Sequence, residues 1–185
     1  LYGFFGVYVM PEYLSILLSI FTILVIINGF NLIDGINGLS ASLGILIMGV
    51  FGVWFYLIGS IEFSILAFAL FGSLLAFLKF NITPARIFMG DTGSLFIGMI
   101  CSILAIHFIE IQSHLTNSPF TFKSAPSVAI GILILPLFDT LRVVILRLMD
   151  GKPPFNPDRR HIHHLLIDAG LSHMQATSML IGICI

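Results

Sequence analysis

The chain is poor in charge. Only 9% of its 185 residues are Asp, Glu, Lys or Arg, against 58% hydrophobic. A soluble domain carries roughly a quarter charged residues. The composition therefore excludes one and points to a helical integral membrane protein with several spans. Cysteine is scarce as well: Cys101 and Cys184 both lie inside apolar runs. That excludes a disulfide framework or a cysteine metal pair and makes both small core residues. Neither sign of charge is in surplus, since the net charge is −1; this balance names no partner, and no nucleic acid is expected. No signal peptide is visible. The chain opens on Leu1 and stops inside an apolar run at Ile185, so it is expected to be the C-terminal part of a longer protein.

What is present is a series of long apolar runs. They suit about six helices of roughly 20 residues, so the expected fold is an all-α polytopic bundle, one membrane domain over residues 1–185. Residues 1–12, with aromatics and Pro11, suit an interfacial entry segment. Spans are expected at about Tyr13 to Ile27, Ser40 to Ile58, Phe63 to Phe80, Leu95 to Ile111 and Val128 to Leu148. The last is interrupted by Pro136 and carries Asp139 and Arg142. A sixth begins near Gln175. Seven of the eight basic residues fall at or near the loops after spans one, three and five, and Lys123 alone lies on the other side. That excess marks the first face as cytoplasmic. All six aspartates share that face, and Glu12, Glu62 and Glu110 lie opposite. Short acids beside bases suit a polyanionic ligand with a metal.

Three polar stretches interrupt the apolar pattern. The first, from Asn28 to Leu39, places Asn28, Asn31, Asp34 and Asn37 at every third position, with Phe30, Ile33, Ile36 and Leu39 in the same period. On an α-helix these form a slanted polar rail beside an apolar strip. Such groups cost several kcal/mol each if buried in lipid without partners, so the rail is expected to face a water-filled or ligand-filled cavity. The plainer reading is a helix end fraying into a loop. The second stretch is Phe88-Met-Gly-Asp-Thr-Gly-Ser94. A carboxylate at a helix start either caps it or, beside hydroxyls and glycine-freed amides, holds Mg²⁺ against a phosphate. The third is Pro157-Asp-Arg-Arg-His-Ile-His-His-Leu165. Its arginines fork onto phosphate oxygens and its histidines add donors. Zinc ligation is a rival, weakened by the two adjacent arginines and the absence of a nearby cysteine; an ordinary solvated loop is another. Asp139 and Arg142, three apart, read first as a structural ion pair.

Together, in this order and separated by apolar spans, the three stretches resemble the polyprenyl-phosphate N-acetylhexosamine-1-phosphate transferase family, glycosyltransferase 4-like membrane enzymes. The run from Pro154 to His164 is most similar to the N-acetylglucosamine-1-phosphate branch. The alternative muramoyl-pentapeptide branch typically has three consecutive histidines, and Ile162 interrupts them here. The resemblance implies transfer of a sugar-1-phosphate from a UDP-N-acetylhexosamine to undecaprenyl phosphate, with release of UMP. The reaction would take place at the cytoplasmic face of a bacterial inner membrane, as the first membrane step of cell-envelope polysaccharide synthesis. It implies Mg²⁺, with Mn²⁺ as a substitute, held by Asp91 and Asp34; these two and His163 would be the catalytic residues. Asn28, Asn31, Asn37, Asn81, Arg159, Arg160, His161 and His164 would bind substrate, Asn81 at the uracil or its ribose. The lipid bilayer is a partner, and a homodimer is allowed.

Two departures matter. The family often has an aspartate where Asn37 stands, so that position is expected to hydrogen-bond rather than bind metal. The family's aspartate-rich cytoplasmic motif is not in this chain, which alone is expected to be inactive. A transporter is the rival from another class. Transporters place polar groups near the bilayer midplane, whereas these clusters fall at helix ends.

Overall fold

The computed structural model describes residues 11–112, 114–115, 119–151, 153 and 160–184. The expected interfacial segment, apart from Pro11 and Glu12, and the Asp158 and Arg159 positions lie outside the described residues. Within them the fold is all-α, with no strand.

Four long apolar helices come first: α1 (Glu12–Ile33), α2 (Leu39–Leu57), α3 (Ile61–Asn81) and α4 (Gly90–Ile111). At 1.5 Å per residue the 22 residues of α1 reach about 33 Å, enough to cross a bilayer. α1 packs chiefly along α4, and α2 along α3. α2 and α4 supply most of the core, including Phe51, Phe55, Leu104 and Phe108. α1 and α3 turn much of their apolar surface outward, Leu17, Phe21 and Leu24 on one and Ile65, Phe68 and Leu75 on the other. Such surface is at home in lipid. Polar side chains within these helices bond back to their own carbonyls, as Thr22 does to Leu18 and Ser73 to Ala69. This satisfies them without water.

The fifth expected span is a bent pair. α5 (Ala125–Ile132) and α6 (Ile134–Met149) meet at Leu133 at an angle of 82°. Pro136 explains the site of the break. It has no N–H to give the Ile132 carbonyl and its ring would crowd that group; in the first turn of a new helix neither matters. A short helix not expected from the sequence, α7 (Ile162–Asp168), begins inside the third polar stretch and carries His163 and His164. α8 (His173–Ile183) then starts with a capping box between Ser172 and Gln175.

Glycine sets two helix crossings. A Cβ on Gly98 of α4 would lie 2.7 Å from the Ile27 Cα of α1. One on Gly29 of α1 would lie 3.1 Å from the Pro136 carbonyl oxygen of α6. α1 is thus held backbone-to-backbone against both α4 and α6, as small residues permit in membranes. The first two polar stretches and the described part of the third, residues 160–165, end up at the same end of the bundle, where α1 and α3 finish and α2, α4 and α8 begin.

Candidate functional site

The expected rail is not one continuous helix. α1 ends at Ile33, Asp34 is its C-cap, and Asn37 lies in the turn before α2. The chain reverses there through Gly38, whose φ of 79° suits glycine. The apolar strip survives the break: Phe30, Ile33, Ile36 and Leu39 are all buried. That buried strip holds the turn against the bundle and leaves its polar groups facing the bundle end.

The second stretch also differs from expectation. α4 begins at Gly90 rather than near Leu95, so Asp91 stands in its first turn and Met89 is the N-cap. Asp91 therefore does not cap the helix. Its Oδ1 accepts a hydrogen bond of 3.0 Å from the Asn31 amide of α1, which also lies 3.2 Å from the Ser94 hydroxyl. Asn31 thereby ties the end of α1 to the start of α4. The Asp34 carboxyl stands close enough to feel the Asp91 charge. Its pKa is raised, mainly by burial; the Asp91 charge raises it further, while the nearby Ser40 hydroxyl and Gly90 amide lower it. The Ser40 hydroxyl, itself buried, closes no hydrogen bond. The two carboxyl groups thus stand near one another where α1 ends and α4 begins. Among the described residues no set of three or more His, Cys, Asp or Glu side chains is gathered to hold a metal ion, so these two oxygen donors are what the chain offers one.

The histidine stretch meets the same turn. His163 lies over Gly35, next to Asp34: a Cβ on Gly35 would sit 2.1 Å from its Nε2. His163 is 1% exposed, and neither ring nitrogen has a hydrogen-bond partner. Its pKa falls to about 4, chiefly through burial and secondarily through His164, His161 and His173; Asp139 works against them. The neutral imidazole keeps one donor and one acceptor unspent. Leaving such groups buried and unmade costs about 1–3 kcal/mol each, a cost expected at a site awaiting a ligand.

A family model described as glycosyl transferase family 4 matches residues 1–109. The chain belongs to glycosyl transferase family 4. Among its relatives, the undecaprenyl-phosphate alpha-N-acetylglucosaminyl 1-phosphate transferase of Yersinia pestis is 32% identical over 162 residues, 85% of this chain and 42% of that protein. The probable undecaprenyl-phosphate N-acetylglucosaminyl 1-phosphate transferase of Bacillus subtilis is 37% identical over 156 residues, covering 84% and 41%. The decaprenyl-phosphate N-acetylglucosaminephosphotransferase of Mycolicibacterium smegmatis is 33% identical over 189 residues, covering 96% and 47%. The chain spans less than half the length of these relatives.

The remaining expected site residues of this glycosyl transferase family 4 chain fall into three groups. Asn28 is exposed on α1, its amide donating to the Leu24 carbonyl at 2.7 Å. Asn37 and Asn81 are braces. Asn81 is buried, accepting from the Gly38 N–H at 2.8 Å and donating to the Ile87 carbonyl at 2.9 Å. Through these two bonds it stitches the α1–α2 turn to the α3–α4 loop. The Asn37 side-chain amide donates to the Thr83 hydroxyl at 3.1 Å, and the Asn37 backbone carbonyl accepts from the Thr177 hydroxyl of α8 at 2.9 Å.

The third group is the histidine stretch itself. Arg160 pairs with Asp150 at 2.5 Å, and the His164 ring lies 4.3 Å from that of His163. His161 is held through one ring nitrogen: its Nδ1 is 2.9 Å from Asp139 Oδ2, while Asp139 Oδ1 accepts from the Ile162 N–H at 2.9 Å. The expected ion pair with Arg142 is present as well, and the histidine stretch adds closer partners to the same carboxylate. The Arg142 Nε stands 3.8 Å away, and that guanidinium donates to the Arg160 carbonyl. The sequence signal was the isolated aspartate in an apolar helix; its partners, 22 and 23 residues on, carry no local pattern.

Proposed function

We propose that this chain forms the phosphate-handling part of a polyprenyl-phosphate N-acetylhexosamine-1-phosphate transferase. The enzyme passes N-acetylglucosamine-1-phosphate, or a related sugar-1-phosphate, from a UDP-sugar to undecaprenyl phosphate in the bacterial cytoplasmic membrane. The names of the relatives support the reaction. The observation that carries it to these residues is the meeting of Asp34, Asp91 and His163, drawn from three separate stretches, at one end of the bundle. Polar groups gathered there, rather than at mid-helix, favour surface chemistry over a transporter, and the basic residues nearby favour the cytoplasmic side.

The reaction forms a bond from a lipid-phosphate oxygen to the sugar-side phosphorus and breaks the bond from that phosphorus to the oxygen of UMP. Such a transfer asks mainly for alignment and for charge to be spread. Asp34 and Asp91 would hold Mg²⁺, which supplies the positive charge that draws the phosphates together. Asn31 fixes the Asp91 carboxylate. His163 offers a neutral donor to phosphate oxygens, and an incoming anion would raise its affinity for a proton. Arg159 and Arg160, which precede the histidines in the sequence, would add positive charge. Asn37 and Asn81 hold the turn on which Asp34 stands.

The test is a radiolabelled transfer assay. The whole protein is given undecaprenyl phosphate and a panel of UDP-sugars, with and without Mg²⁺. Metal-dependent label in lipid with matching UMP is expected; no transfer from any UDP-sugar overturns the reading.

A further inference from the structure

Asp139 stands apart from the residues assigned above. It lies on α6, behind the histidine stretch, and is 0% exposed. A carboxylate so buried is expensive unless it is well bonded. Beside the 3.8 Å ion pair with Arg142, its two hydrogen bonds both run to the histidine stretch. Oδ1 takes the Ile162 N–H and Oδ2 meets His161 Nδ1, both at 2.9 Å. A carboxylate only accepts, so His161 must carry its proton on Nδ1. The rings of His161 and His163 then stack, 5.9 Å apart and within 8° of parallel. His163 is the next residue but one, and its nitrogens are the unpartnered ones.

From this geometry we infer that Asp139 is a positioning residue, which fixes the tautomer of His161 and the backbone of Ile162 so that the His163 ring is seated over Gly35 with both nitrogens left for substrate. The inference rests on the transferase reading for its kinetic arm only. A group that orients a working histidine through its far nitrogen is worth about 10–100-fold in activity where this has been measured at metal sites.

Asp139→Asn tests it in the whole protein. The amide oxygen keeps the Ile162 bond, but the amide NH₂ can only donate, so the His161 proton must move from Nδ1 to Nε2. Nitrogen NMR of histidine-labelled protein reads that shift, with His161→Ala assigning the signal. The expected result is a shifted tautomer, a thermal midpoint close to wild type and kcat/KM for UMP release lower by about 10–100-fold. Turnover within twofold of wild type overturns the inference. So does a wild-type His161 protonated only at Nε2, or a loss that tracks a lowered midpoint, which makes Asp139 a folding residue. If the wild-type protein transfers nothing, the function fails, and the tautomer spectrum still decides the positioning.

Discussion

Gly35→Ala isolates the contact between the first and third polar stretches. The glycine is exposed, and its φ lies outside the left-handed region, so alanine meets no backbone strain. What it meets is His163. The new methyl would lie 2.1 Å from Nε2 and 2.9 Å from both flanking ring carbons, whereas ordinary contact begins at 3.4 Å. The imidazole must therefore retreat by about 1.3 Å. Misplacing a working group by an ångström costs about 100-fold, or roughly 2.7 kcal/mol of transition-state stabilisation. Initial rates of UMP release at subsaturating UDP-sugar should fall by that factor, with the thermal midpoint little changed. Two controls make the reasoning sharp. Gly72→Ala, on α3 with nothing near its added methyl, should leave rates unchanged and stabilise by up to about 1 kcal/mol. In a His163→Ala background, Gly35→Ala should cost almost nothing more, because the group it displaces is gone. Full additivity in that cycle, or turnover of Gly35→Ala within threefold of wild type, would refute the clash as the cause.

Three other perturbations reach the remaining parts. Asp91→Asn in the whole protein should abolish UMP release at normal expression; near-normal turnover would remove Asp91 from the metal pair. Asp34 is held above the usual carboxylate range, so the metal-free folded state takes up its proton more readily than the unfolded chain does. The stability this group contributes is present at acid pH and is lost as pH rises through the raised native value. Asp34→Asn should thus have the higher metal-free thermal midpoint at neutral pH, by a margin that closes on acidification, and Mg²⁺ should raise only the wild-type midpoint. A wild-type midpoint that exceeds the variant's throughout argues against burial as the cause. Gly98→Ala should destabilise by about 1–3 kcal/mol and slow UMP release, as α1 and α4 part; an unchanged midpoint would mean the crossing yields freely.

The apolar helices were legible because lipid imposes one rule on every stretch long enough to cross it. The break near Pro136 was legible because proline's missing donor is a local property. The three polar stretches announced themselves as exceptions to a greasy background. Their internal wiring did not. Asn31 and Asp91 are 60 residues apart, and nothing near either specifies the other. Asp139 shows how far a local rule reaches: three-residue spacing found Arg142, but not the backbone N–H and the imidazole from another segment that lie closer. The brace made by Asn81 stayed hidden for the same reason. A lone polar residue at a helix end reads identically whether it serves a substrate or the neighbouring loop, and only the position of Gly38 decides. The first turn of α4 was misplaced because glycines usually argue against helix, and here two of them open one.

The bare crossing of Ile27 and Gly98 has a consequence for how the protein tolerates change. Main chain meets main chain there, so the spacing of the two helices that lead to the acids is set by backbone and not by side-chain rotamers. The outward faces of α1 and α3 can drift from Leu to Ile to Phe, following whatever lipid surrounds them, while that spacing stays as it was.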